Sequence, residues 1–257
     1  VVSLTTKTLQ SNSTSTVRDT DPPETTITSG PSGTVASASA TFTFTADEAG
    51  STFECSLDGG AFAPCASPIT FNGLADGPHT FDVRATDPVG NVDPTPATQG
   101  WTVDTDPPET TITSGPSGTV ASASATFTYI ADEAGSTFEC SLDGSAFAPC
   151  ASPITFNGLA DGPHTFDVRA TDPVGNVDLT PATQGWTVDT DPPETTITSG
   201  PIGTVASASA TFTFIADEAG SAFECSLDGG AFAPCATPIT FNGLADGPHT
   251  FDVRATD

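Results

Sequence analysis

The sequence predicts an all-β chain made of β-sandwiches in tandem, and three observations carry that prediction. The first is repetition: DPPETTITSG begins at Asp21, Asp106 and Asp191, a period of 85 residues. FECSLDG recurs on the same period at Phe53, Phe138 and Phe223, and PHTFDVRATD at Pro78, Pro163 and Pro248. The second is texture. Short alternating runs rich in Thr, Phe, Ile and Val are broken every 8–12 residues or so by Gly, Pro, Asn and Asp, the pattern of a sandwich or barrel, and no stretch of useful length has helical periodicity. The third is a single pair of cysteines in each unit.

These observations divide the chain into a lead-in over 1–20 and repeats over 21–105, 106–190 and 191–257. The first two repeats differ only at Phe44/Tyr129, Thr45/Ile130, Gly60/Ser145 and Pro94/Leu179, and the third has no counterpart of PVGNVDPTPATQGWTVDT. In the first repeat strands are predicted in order. Glu24–Ser29 alternates Thr and Ile after the stiff Pro pair, and Ser39–Ala46 points Ala40, Phe42 and Phe44 to one face. Thr52–Leu57 does the same with Phe53, Cys55 and Leu57, and the Asp-Gly-Gly that follows is a turn signal. Ala61–Cys65 and Ile69–Asn72 are short runs between Gly and Pro breakers. His79–Thr86 turns His79, Phe81, Val83 and Ala85 inward, and Gln99–Val103 closes the core with Trp101 and Val103. Thr41, Thr43, Glu54, Asp82 and Arg84 fall on the wet faces. About seven strands in a unit of this size predict an immunoglobulin-like sandwich.

The runs F-E-C-S-L-D-G-G-x-F-x-x-C, G-L-x-D-G-x-H-x-F-x-V-R-A-x-D and D-x-x-G-N over 21–257 resemble the bacterial Ig-like repeats of large secreted and cell-surface proteins, including adhesin-type stalks. The resemblance implies tandem spacers that often hold calcium between domains, and it transfers fold better than function.

Cysteine spacing gives a separate reading. Cys55/Cys65, Cys140/Cys150 and Cys225/Cys235 lie ten residues apart across predicted hairpins, which predicts one disulfide per repeat. Two ligands per unit at this spacing match no tetrahedral zinc pattern. Disulfides place the chain outside the cytoplasm. With Lys7 the sole lysine, no repeat can form an internal Lys–Asn isopeptide bond.

Composition excludes several classes of function. The chain has 32 acids against five bases, a formal net charge of −27. Five dispersed bases build no basic patch, so nucleic acid is not a partner and an anionic membrane surface is a poor one. No apolar run spans a bilayer, no signal-peptide core is present, and the chain does not begin with Met, which suggests a mature or excerpted piece. His79, His164 and His249 open the sixth strand, where a residue bonding back to the preceding turn is expected; no G-x-S-x-G elbow or similar nucleophile motif accompanies them, so the chain does not read as an enzyme. Arg84, Arg169 and Arg254 are expected to pair on the exposed face with Glu54 or Asp82 and their copies.

The acids are clustered. In an immunoglobulin-like array the end of one unit meets the loops after strands two and six of the next. At the first junction this gathers Asp104, Asp106 and Glu109 of the linker with Asp132, Glu133, Asp172 and Asp178. A hard divalent cation, calcium, would relieve their repulsion. The alternative is a solvated acidic surface without a metal. The ligand candidates are Asp104, Asp106, Glu133 and Asp172, with Asp19, Asp21, Glu48 and Asp87 before them and Asp189, Asp191, Glu218 and Asp257 after them.

At the N-terminus, Asn12-Ser13-Thr14 is a glycosylation sequon at Asn12, and VVSLTTKTL alternates like a strand. Residues 1–20 read either as the tail of an upstream domain or as a donor strand for the incomplete third repeat of a neighbouring copy, which would build a filament. The functional expectation is an extracellular or cell-surface stalk whose partners are further repeats or copies of the same chain. A glycan- or receptor-binding adhesin module and an accessory region of a secreted hydrolase are the rivals.

Overall fold

The computed structural model describes residues 19–257; the sequon at Asn12 and the alternating run VVSLTTKTL lie outside them. The described chain is all-β: 22 strands and no helix. In the first repeat these are β1 (Thr25–Ser29), β2 (Gly33–Val35), β3 (Ser39–Ala46), β4 (Thr52–Leu57), β5 (Ala63–Cys65), β6 (Ile69–Asn72), β7 (Gly77–Thr86) and β8 (Ala97–Val103). One sheet runs β1-β3-β6 and the other β2-β8-β7-β4-β5. All pairings are antiparallel except β2 with β8, where Gly33, Thr34 and Val35 run parallel to Trp101, Thr102 and Val103.

The period-two reading of faces accounts for the core. Ala40, Phe42 and Phe44 from β3, Cys55 from β4, Phe81, Val83 and Ala85 from β7, and Trp101 and Val103 from β8 are all buried. Phe42 stacks on Phe81 at 4.2 Å between ring centroids and meets Trp101 at 5.1 Å; Phe44 meets Phe53 edge-on at 5.0 Å. Each buried Phe contributes roughly 1.5–3 kcal/mol of transfer free energy, and an aromatic pair about 0.5–1.5 kcal/mol more. Gly30 lies so close to this cluster that a Cβ there would stand 2.5 Å from Phe42 Cδ1, so the crossing from β1 to β2 admits no side chain. Asp58 and Gly59 both take positive φ (52° and 70°), as the Asp-Gly turn signal after β4 requires. Cys55 and Cys65 are bonded across β4 and β5 with their Cα atoms 5.8 Å apart, as are Cys225 and Cys235. Cys140 and Cys150 are disulfide-bonded too, and no described cysteine is free.

The second repeat reproduces the first as β9 (Thr110–Ser114), β10 (Gly118–Val120), β11 (Ser124–Ala131), β12 (Thr137–Leu142), β13 (Ala148–Cys150), β14 (Ile154–Asn157), β15 (Gly162–Thr171) and β16 (Ala182–Val188), in sheets of the same order. The third has six strands: β17 (Thr195–Ser199), β18 (Ser209–Ala216), β19 (Ala222–Leu227), β20 (Ala233–Cys235), β21 (Ile239–Asn242) and β22 (Phe251–Thr256). The difference has a local cause. Residues 203–205 have no parallel partner among the described residues, which include no counterpart of β8, and they are not a strand. Residues 247–250 lose the same partner, so β22 starts four residues later in the repeat than β7.

One feature of the repeat differs from the sequence expectation. Seven strands are predicted for the first repeat and eight are present, because β2 adds a three-residue strand. Its Gly-Thr-Val carries no alternation of its own. Hydrogen bonding to β8 defines it, and the third repeat demonstrates that dependence.

Candidate functional site

The predicted acidic site is built at the loops that follow β3 and β7. Asp87, immediately after β7, folds its loop around its own carboxylate: Oδ1 accepts the backbone N–H groups of Val89 (2.9 Å), Gly90 (2.6 Å) and Asn91 (2.7 Å), while Oδ2 accepts Asn91 Nδ2 (2.7 Å). Burial pushes this carboxyl upward, but the bonds from Asn91, Gly90 and Val89 outweigh it and hold the group below the ordinary carboxylate range. Glu48, in the loop after β3, faces the opposite balance. Burial and the charges of Asp19, Asp87, Asp47 and Asp21 all raise it. Carboxylate oxygens of Asp19, Glu48 and Asp87 lie within 4.8 Å of one another.

The same trio recurs one repeat later as Asp104, Glu133 and Asp172. Asp172 again accepts Val174, Gly175 and Asn176, and Asn176 Nδ2 reaches Asp104 O at 2.9 Å. Glu133 is raised by burial and then by Asp104, Asp172, Asp132 and Asp106. Asp21 and Asp106 stand outside the trios; their charges raise Glu48 and Glu133, and Asp21 N–H also donates to Asp19 Oδ1 at 3.2 Å. In the third repeat Glu218 is raised by burial and then by Asp189, Asp257, Asp217 and Asp191, but among the described residues these acids form no such trio.

The donor set fits a hard cation in part. Glu48 and Asp19 present carboxylate oxygens, whereas Asp87 Oδ1 is fully used by three N–H donors and leaves only Oδ2 with room for a further partner. Calcium takes six to eight oxygens, so most of its shell here would be water.

Other acids in these loops do structural work. Asp178, read from the sequence as an interface carboxylate, is buried. It accepts the N–H groups of Thr110 (3.1 Å) and Thr180 (2.8 Å), as Asp93 does with Thr25 (3.0 Å) and Thr95 (2.8 Å). Its partner Thr110 completes the network by accepting Ala170 N–H at 2.9 Å. Asp76 takes the linker's Thr105 through both N–H and Oγ1–H at 2.9 Å, and Asp132 takes Glu109 N–H at 2.8 Å. The sequence reading placed Asp132 and Asp178 among the junction carboxylates and did not single out Asp76 or Asp93; the Asp-x-Thr spacing at Asp93 and Asp178 is the signal that marks those two.

No protein-family model matches the chain, and a comparison with curated proteins finds no match. Among solved structures it is similar to the fibronectin(III)-like modules of Clostridium thermocellum CbhA, at 17% identity and a TM-score of 0.35 over 64% of this chain and 94% of that one. It is also similar to the chicken CNTN1 FN1-FN3 domains, at 12% identity and a TM-score of 0.33, covering 92% of this chain and 93% of that one. A bacterial 1.5-MDa ice-binding adhesin involved in host cell surface retention is similar at 14% identity and a TM-score of 0.41, covering 93% and 87%. At these scores the likenesses add nothing to the strands described above.

The histidines take the structural position expected of them. His79 Nε2 bonds to Ala75 O at 2.7 Å in the preceding turn, Nδ1 to Asp58 Oδ2 at 2.9 Å, and the ring stacks on Trp101 at 5.4 Å. Both ring nitrogens therefore face acceptors, a backbone carbonyl and a carboxylate. Arg84 donates through Nε (3.0 Å) and an Nη (2.8 Å) to Glu54 Oε2 and covers the Phe62 ring at 4.2 Å, whereas Asp82 accepts Thr98 Oγ1–H instead.

Proposed function

We propose that the chain is an extracellular structural spacer whose repeats set distance and stiffness in a surface stalk. The observation that supports this reading most is how the linker is anchored. Between β8 and β9 run six residues, 104–109. Asp104 N–H bonds to Val35 O at 3.0 Å, Thr105 is held by Asp76, Glu109 N–H is held by Asp132, and Asp104 O accepts Asn176 Nδ2. Between these bonds only Asp106 and Pro107 are exposed; Pro108 is buried, and both prolines are restricted in φ. A linker this short and this tied behaves as a semi-rigid spacer rather than a random coil. The disulfide in each repeat favours an oxidising, extracellular setting.

In this reading the trios Asp19/Glu48/Asp87 and Asp104/Glu133/Asp172 take calcium weakly, in the range of about 10⁻⁴–10⁻³ M typical of extracellular modules, and damp the remaining bending. Small-angle scattering of the whole chain tests both elements. The expected result is a narrower distribution of maximum dimension in millimolar calcium than in chelator, with Glu133→Gln abolishing the difference. Asp132→Ala should broaden the distribution in either condition. Identical curves for all these samples would remove the reading.

A further inference from the structure

Each repeat carries one Asn-Gly dipeptide inside the identical run PITFNGLADGPHTF: Asn72-Gly73, Asn157-Gly158 and Asn242-Gly243. In the first two repeats the asparagine is the last residue of β6 or β14 and pairs across the sheet with a serine, Ser39 or Ser124. Both asparagines and the glycines after them are exposed. Gly73 and Gly158 take positive φ (68° and 69°), and a Cβ built on either would meet nothing within 4 Å. The turn selects glycine for its backbone, and that choice leaves the peptide nitrogen after each asparagine without a side chain to shield it.

The asparagine side chains are held by one end only. Ser39 Oγ–H donates to Asn72 Oδ1 at 2.5 Å, and Ser124 Oγ–H donates to Asn157 Oδ1 at 2.8 Å. Among the described residues neither Nδ2 donates a hydrogen bond. A donor on the oxygen favours negative charge there, and the amide nitrogen is free to depart. The two described asparagines outside Asn-Gly pairs have the opposite setting. Asn91 gives both its N–H and its Nδ2 to Asp87 at 2.7 Å, Asn176 gives both to Asp172 at 2.8 Å, and each is followed by a β-branched valine. We propose that Asn72 and Asn157 are sites of spontaneous modification, converting through a succinimide to aspartate or isoaspartate.

Gly73 N loses its proton to solvent and attacks Asn72 Cγ. The new N–Cγ bond moves negative charge onto Oδ1, where the Ser39 hydroxyl already donates. The Cγ–Nδ2 bond then breaks, and Nδ2 takes a proton from solvent and leaves as ammonia. Water opens the ring at either carbonyl: at Cγ the product is aspartate, and at the main-chain carbonyl carbon it is isoaspartate, whose main chain runs through Cγ. Each event adds one negative charge to a chain already at −27. The fold keeps the serine in place for this step. Asn72 is tied by its pairing with Ser39, and Leu74 N–H is tied to Ala38 O at 3.0 Å; Leu159 N–H is tied to Ala123 O at the same distance. Such preorganisation of a donor at the developing charge is what raises a rate. The modification is independent of the spacer reading.

The test incubates the disulfide-intact 257-residue protein in mildly alkaline buffer made with heavy-oxygen water, and follows each asparagine by peptide mapping and mass spectrometry. The expected result is conversion at Asn72 and Asn157, each gaining one solvent oxygen, while Asn91 and Asn176 stay intact. Ser39→Ala, an exposed change, should slow Asn72 about threefold to tenfold, the worth of one hydrogen bond at the transition state. Asn157, with the same flanking sequence, should keep its rate in that variant, and Ser124→Ala should reverse the two. In reduced, denatured protein the dependence on serine should vanish, because Ser39 and Asn72 lie 33 residues apart in the chain. Intact Asn72 and Asn157 after long incubation, conversion of Asn91 and Asn176 at the same rate, or an Asn72 rate unmoved by Ser39→Ala would each overturn the proposal.

Discussion

His79 shows how much one ring can hold. Its two nitrogens face a backbone carbonyl and a carboxylate, both acceptors, a setting that favours the imidazolium over the neutral ring. The Ala75 carbonyl and then Asp58 raise its pKa above the ordinary value, and His164 and His249 are raised in the same way. For Asp58, burial opposes ionisation, but the Thr80 N–H and His79 prevail and lower it. The signs give a stability window. The histidine contribution is complete below the unfolded pKa of about 6.5 and is lost as pH rises through the higher folded value. The aspartate contribution is present above its unfolded pKa of about 3.9 and fades as pH falls through the lower folded value. Thermal melts across pH should therefore peak between these limits and decline as pH rises above about 6.5. His79→Gln/His164→Gln should flatten the alkaline decline. An unchanged slope in that variant would show that the pair does not set the pH response.

At the scale of elements, β8 does two jobs. It supplies Trp101 and Val103 to the core, and it creates β2 by pairing with it. Trp101→Ala should cost roughly 3–5 kcal/mol in the first repeat. Amide exchange at 33–35 should then accelerate well before exchange at Phe81 and Val83 does. If both sets accelerate together, β2 is held by something other than β8. This coupling also explains what the sequence could and could not disclose. The strands with inward Phe, Val and Trp were legible because period-two burial is written into their own residues. Gly33–Val35 was not, because its partner 68 residues away in the chain determines its state. The acidic loops fall between these cases. Charge gathered the trios, but it did not show that Asp178 lies outside them, its carboxylate taken up by the N–H groups of Thr110 and Thr180.

For the molecule as a whole, a net charge of −27 on 257 residues has two destinations. Some carboxylates are spent on hydrogen bonds that close turns and tie linkers, as Asp58, Asp76, Asp87, Asp93 and Asp132 illustrate. Others, Glu48 and Glu133 foremost, are left among like charges and are raised for that reason. Lowering the pH toward the raised value relieves that repulsion, so salt and acid should compact the junction loops in the same direction as a divalent cation.

The disulfides have a mechanical meaning when the chain is pulled from its ends. Cysteines ten residues apart close a loop that cannot lengthen, so each unfolding repeat surrenders the 5.8 Å between the Cα atoms rather than the loop's full contour. Ten residues extend to about 35 Å. Single-molecule stretching should therefore show each complete repeat's extension step grow by roughly 30 Å when the bond is reduced. A stalk bearing load in an oxidising medium would keep that length in reserve, locked against force and released by electrons.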